Sequence, residues 1–178
     1  MVYRFKIVSE EADNFYRIID INSEANFLEL RNAILDSVGY ARDGMDSFFI
    51  CDEDWNRHEQ IAIEDFGSAS DEDIWIMEET CISELVEDEG QHLAFVFDNI
   101  GERAFFMALV SIDYNRSLSI PECSMSKGNP PVRILPLNEI DSRAEKKTAA
   151  QQDFDIDNMY GEDSYNEDEL EGFDSLDF

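Results

Sequence analysis

Histidine, cysteine, proline and positive charge are all scarce in this chain. Its 178 residues include 2 His, 3 Cys, 4 Pro and 13 Lys+Arg, set against 42 Asp+Glu. The three cysteines, Cys51, Cys81 and Cys123, are odd in number, far apart and without a C-x-x-C, so neither a disulfide framework nor a zinc site is expected. With only His58 and His92 available, a metal centre would have to be assembled from remote loops, and no cofactor is expected. No apolar run approaches the roughly 18 to 20 residues that a bilayer-crossing helix needs, so no membrane association is predicted. The opening Met1-Val2-Tyr3-Arg4-Phe5-Lys6 has no basic region leading into an apolar stretch, which reads as a cytoplasmic protein.

The formal net charge is −29 and the pI near 4.1. Such a charge repels phosphate backbones and anionic headgroups over about a Debye length. The few bases are scattered, with Lys146-Lys147 the one adjacent pair, so nucleic acid is not an expected partner. Sequence signatures of common enzymes are also missing: there is no G-x-S-x-G, no G-x-x-x-x-G-K and no G-x-G-x-x-G.

What is present is clear periodicity. Tyr3, Phe5 and Ile7 alternate with Arg4 and Lys6, a half-buried strand, and Phe15, Arg17, Ile19 and Ile21 alternate with Tyr16, Ile18 and Asp20 to complete a hairpin. Phe27, Leu30, Ile34, Leu35 and Val38 then fall on one helical stripe. Asn26 and Glu29 supply a capping box, and Gly39 a left-handed stop, for a helix over about 27–38. Met45 to Cys51 reads as a third strand and Gln60 to Ile63 as a weaker fourth, with an exposed acidic loop over 65–73. Thr80 is placed to cap a short helix carrying Ile82, Leu85 and Val86, ended by Gly90.

A second hairpin follows. Leu93, Phe95 and Phe97 lead to a turn at Asp98-Asn99-Ile100-Gly101, and Ala104, Phe106, Ala108, Val110 and Ile112 return. Its two faces are both apolar, which predicts a central position. Pro121, Pro130 and Pro131 predict that regular structure stops after Ser117. The expected fold class is therefore α+β: a mixed, mostly antiparallel sheet with one main helix packed on it, β-grasp-like in its strand-strand-helix-strand opening.

The domain is expected over 1–136 and an acidic tail over 137–178. Residues 153–178 hold eleven acids and no base, which is −11 of the −29 and leaves −18 on the rest. Disorder is the expected state of such a segment. Its acids are interspersed with Phe154, Tyr160, Tyr165, Phe173 and Phe178, a pattern suited to docking a protein partner with a basic surface. The run Asp153, Asp155 and Asp157 begins like a calcium loop, but Asn158 stands where the turn glycine belongs and Ser164 where the bidentate Glu belongs.

Other carboxylates suggest a competing chemistry. Asp52, Asp54 and Asp98 are the nearest candidates for a hydrolase or nuclease-like enzyme using a divalent cation. Asp98 with Arg103 is a candidate polar site on the second hairpin. A DNA mimic, suggested by the charge, is a third reading.

Several segments occur in an order that resembles the plasmid pRiA4b ORF-3-like family. These are Phe15-Tyr16-Arg17-Ile18-Ile19-Asp20-Ile21, the helix from Phe27 to Ile34 leading to Val38-Gly39-Tyr40, the strand Phe95-Val96-Phe97-Asp98, and Pro121-x-Cys123 followed by Gly128-x-Pro130-Pro131. The resemblance spans about residues 3 to 131. It implies a small α+β domain associated with plasmids and mobile elements, and it transfers no catalytic residue. This sequence departs from the family pattern at the second hairpin, where Phe105-Phe106 replace an aromatic-histidine pair, and at Arg31, where a helix histidine is common.

Overall fold

A computed structural model describes residues 1–65, 67 and 74–135. The expected tail, including Phe154, Tyr160, Tyr165, Phe173 and Phe178, lies outside the described residues, as does most of the 65–73 loop. Within them the architecture is α+β and dominated by a sheet of eight strands in the order β5-β4-β3-β6-β7-β1-β2-β8.

The first hairpin pairs β1 (Val2–Val8) with β2 (Tyr16–Asn22). Helix α1 (Phe27–Val38) follows with its capping box intact: the Glu29 amide donates to Asn26 Oδ1 at 2.9 Å, and the Asn26 amide donates to Glu29 Oε2 at 3.1 Å. Gly39 ends it at φ 70°, the left-handed conformation glycine adopts without a Cβ penalty. Strands β3 (Ser47–Cys51) and β4 (Arg57–Ala62) then pair antiparallel, and the two-residue β5 (Trp75–Ile76) adds to β4 in the sheet's parallel step.

The second hairpin, β6 (His92–Asp98) and β7 (Arg103–Asp113), takes the centre of the sheet as its two apolar faces predict. Strand β7 joins β1, and this closes the link between the two hairpins.

Two expectations are corrected. Regular structure does not stop after Ser117, because β8 (Glu122–Lys127) pairs with β2 as an edge strand. Its prolines lie outside the pairing, at 121 and at 130–131, where the missing amide costs no ladder bond. The short helix near 80 is a single 3-10 turn, Ile82–Glu84, preceded by Cys81 rather than capped by Thr80. Three residues between Cys81 and Leu85 are too few for an α-helical nucleus, and the Glu84 carboxylate takes the Cys81 amide at 3.2 Å instead.

The pairing registers define two faces. On the helix face, Phe48, Phe95 and Phe105 stand side by side, with ring centroids 4.8 Å apart for the first pair and 6.5 Å for the second. Phe27 from α1 closes on Phe48 at 5.3 Å, while Phe15 and Phe97 reach Phe105 at 5.4 and 4.7 Å. The opposite face mixes small, aromatic and basic groups. One row runs Phe49, Ala94, Phe106, Val8, Tyr16 and Lys127; the next runs Cys51, His92, Ala108, Lys6, Ile18 and Met125. Among the described residues, no helix is long and apolar enough to cross a membrane.

Candidate functional site

The Asp98–Arg103 pair forms because β6 and β7 bring the ends of their hairpin into register. The Gly101 amide donates to Asp98 Oδ1 at 2.9 Å, and Arg103 Nη1 lies 3.6 Å from Asp98 Oδ2. Arg103 is only 3% exposed, and Glu11 receives most of its charge, from Nε at 2.9 Å and Nη2 at 2.8 Å. Its remaining donors reach the carbonyls of Val132 and Arg133, and its guanidinium lies over the Phe97 ring at 4.9 Å. Arg103 is therefore a clamp that ties residues 132–133 to the central hairpin.

Asp52, Asp54 and Asp98 do not converge. Asp52 follows Cys51, which faces His92 at the start of β6, whereas Asp98 ends that strand. Six residue steps separate these ends by about 20 Å. Asp52 organises its own loop, accepting from the Asp54 and Asn56 amides and from Asn56 Nδ2, each at 2.9 Å, with His58 Nε2 at 3.3 Å. The Asn56 side-chain amide, foremost among these donors, holds the Asp52 carboxyl below its usual range. Trp55 sits at this loop's tip with φ 63°, uncommon for a bulky residue. Its ring lies flat on His92 at 4.0 Å and meets Phe106 edge-on at 5.1 Å. Among the described residues, no group of three or more His, Cys, Asp or Glu is placed to hold a metal.

The bases that alternation and helical spacing place among apolar neighbours are tied into the interior. Arg17 occupies the helix face of β2 and spends its donors on four carbonyls: Ser37 at 3.1 Å, Tyr16 at 2.9 Å, Lys127 at 2.7 Å and Gly128 at 3.1 Å. Burial without a facing carboxylate lowers its pKa. Arg31, on the apolar stripe of α1, bonds Asp46 at 2.9 Å and the Arg42 and Gly44 carbonyls at 3.0 and 3.2 Å. Arg133 takes the other oxygen of Asp46 at 2.9 Å. Burial pushes Asp46 up, against the pull of the two arginines. On the second face, Asp20 is 1% exposed and accepts from Arg4 at 2.7 and 2.8 Å and from Arg116 at 2.8 Å. Burial works against its ionised form, but those bonds prevail and hold its pKa down.

Unlike Asp20 and Asp46, the glutamates around one junction point outward. The β2–α1 connection and the segment after β5 meet through an isolated bridge between Asn26 and Cys81. Glu24, Glu29, Glu78, Glu79 and Glu84 are all exposed around that junction. The Cys81 thiol registers them: partial burial raises its pKa, and Glu84, Glu24 and Glu29 raise it further. This acidic surface joins segments about 50 residues apart in sequence, so no local motif announces it.

No protein-family profile matches the chain, and no curated protein does. The fold is similar to the crystal structure of a protein of unknown function from Methanosarcina mazei Go1, at TM-score 0.56 and 12% identity, covering 93% of this chain and 92% of that one. The likeness extends to the fold alone.

Proposed function

We propose that this chain is a non-catalytic interaction protein that docks a partner with a basic surface. The observation that supports it is the sorting of charge. Arg4, Arg17, Arg31, Arg103 and Arg133 are engaged by partners within the domain, while Glu24, Glu29 and Glu84 face solvent at one junction. The buried charges are Lys6, Arg17, Arg31 and Arg103 against Asp20 and Asp46, so burial does not offset the negative exterior, and a negative exterior speeds encounter with a basic partner. The aromatics at 154, 160, 165, 173 and 178 add contact area to the acids around them. On this reading the domain is a cytoplasmic member of the plasmid ORF-3-like family, linked to mobile elements, with a β-grasp-like opening of strand, strand, helix and strand.

The test compares partners captured by the full chain with those captured by two full-length variants. One carries Glu24→Gln, Glu29→Gln and Glu84→Gln; the other has the five C-terminal aromatics replaced by Ala. Loss of salt-sensitive partners in either variant supports the proposal. Identical partners at identical affinity from all three proteins overturn it.

A further inference from the structure

Strand β8 ends the sheet on one side, and among the described strands it pairs with β2 alone. Four of its six residues, Glu122, Cys123, Ser124 and Ser126, are exposed. Such an edge presents amides and carbonyls that its neighbour in the sheet does not use to any strand of suitable sequence, with the Lys127 carbonyl already accepting from Arg17 and the Met125 carbonyl from the Cys123 thiol. The opposite edge, β5, is only two residues long and offers no comparable template.

The sequence of β8, Glu-Cys-Ser-Met-Ser-Lys, has opposite charges at its two ends. Placed antiparallel against a second copy of itself about a two-fold axis between Ser124 and Met125, it sets Glu122 opposite Lys127 of the second copy, and Lys127 opposite Glu122 of the second copy. Cys123 then faces Ser126, and Ser124 faces Met125. Opposite charges directly across a strand pair are favourable, and a two-fold axis makes each contact twice. Pro121 on one side and Gly128 with Pro130 on the other confine the match to these six residues.

We propose that β8 is a self-complementary edge through which two copies of this chain associate, joining their sheets. The bulge that inserts Ser124 between the partners of Ile18 and Ile19 puts Glu122 and Lys127, opposite Asp20 and Tyr16, on one face of the sheet, as this register requires, and it sharpens the twist of the strand so that the pairing stays short. A contact about 20 Å long buries too little surface for a permanent dimer, so the association is transient. Glu122 also accepts from Arg116 of its own chain at 2.9 Å, and its half-exposed carboxylate keeps a second oxygen for the partner lysine.

The experiment is sedimentation equilibrium of the full chain over a wide concentration range at physiological salt, with Glu122→Lys and Lys127→Glu made separately. Wild type is expected to show mass rising with concentration, accompanied by slower exchange of β8 amides. Each variant alone sets like charges opposite one another twice, and dimerisation weakens about tenfold. An equimolar mixture of the two variants restores it, because each then supplies the charge the other lacks; a merely structural effect of either substitution would not be rescued by mixing. A wild type that stays monomeric, single variants that dimerise as wild type does, or a mixture no better than its components would each overturn the proposal.

Discussion

The two faces of the sheet are built from different materials. The helix face is filled by volume: Phe48, Phe95 and Phe105 in one row, with α1 closing over them through Phe27. The opposite face is organised by charge, with Asp20 between Arg4 and Arg116, and with Lys6 and Lys127 flanking the Tyr16 ring at 5.3 and 5.7 Å. The lesson is that one set of strands is centred on rings on one side, with Arg17 and Arg31 at the margins, and on an ionic chain on the other. The aromatic centre of the helix face should therefore respond most to lost atoms, and the Asp20 and Lys6 positions of the second face to pH.

The largest effect is expected on the helix face. Phe105→Ala removes a fully buried ring touched by Phe15, Tyr40, Phe95 and Phe97, and should cost about 3–5 kcal/mol in urea unfolding. A loss below about 1 kcal/mol would mean that this face is not packed as described.

On the second face, Asp20→Asn should cost about 2–3 kcal/mol at pH 7, since it strips the acceptor from two guanidinium groups. Asp20 titrates below an unfolded aspartate. Its contribution is therefore present above about pH 4 and is lost as pH falls through its folded pKa. The variant's stability should accordingly vary less across that acid range than wild type's. An unchanged acid limb would remove Asp20 from the account.

Lys6 should act in the other direction and more weakly. Burial, with Lys127 nearby, pushes its pKa down to about 8, so between about pH 8 and 10.5 the unfolded chain binds the extra proton and stability rises with pH. Lys6→Met should stabilise the protein at pH 7 by about 1 kcal/mol and abolish that alkaline rise in thermal unfolding. Smallest of all, Val110→Thr, at a position 41% exposed, should stay within about 0.5 kcal/mol. A larger change there would show that the second face depends on packing after all.

Much of the helix face was legible in the sequence, because period two at Tyr3, Phe5 and Ile7 and period 3.6 from Phe27 to Val38 each report one buried side. The second face was harder. Its logic joins Arg4 to Asp20 and Asp20 to Arg116, contacts made by pairing between strands rather than by spacing within one. Strand β8 was hidden by its flanking prolines, and its exposed residues carry no apolar alternation to reveal it. Arg17 did leave a signal: it is the charge on the apolar side of its strand, in step with Phe15 and Ile19. Likewise Arg31 breaks the helical stripe beside Leu30. For the candidate site, composition conveyed the acidity but not its arrangement. Glu24, Glu29 and Glu84 become neighbours only when the bridge at Asn26 and Cys81 forms.

The stack of Trp55 on His92 has an optical consequence. An indole held flat against an imidazole at 4.0 Å has one face covered by its neighbour, so its emission changes when the loop that carries it leaves the sheet. Since the His92 ring nitrogen also lies 3.3 Å from the Asp52 carbonyl, the emission of a Trp75→Phe variant, which leaves Trp55 as the one indole, reads the opening of the β3–β4 turn in denaturant without any added label.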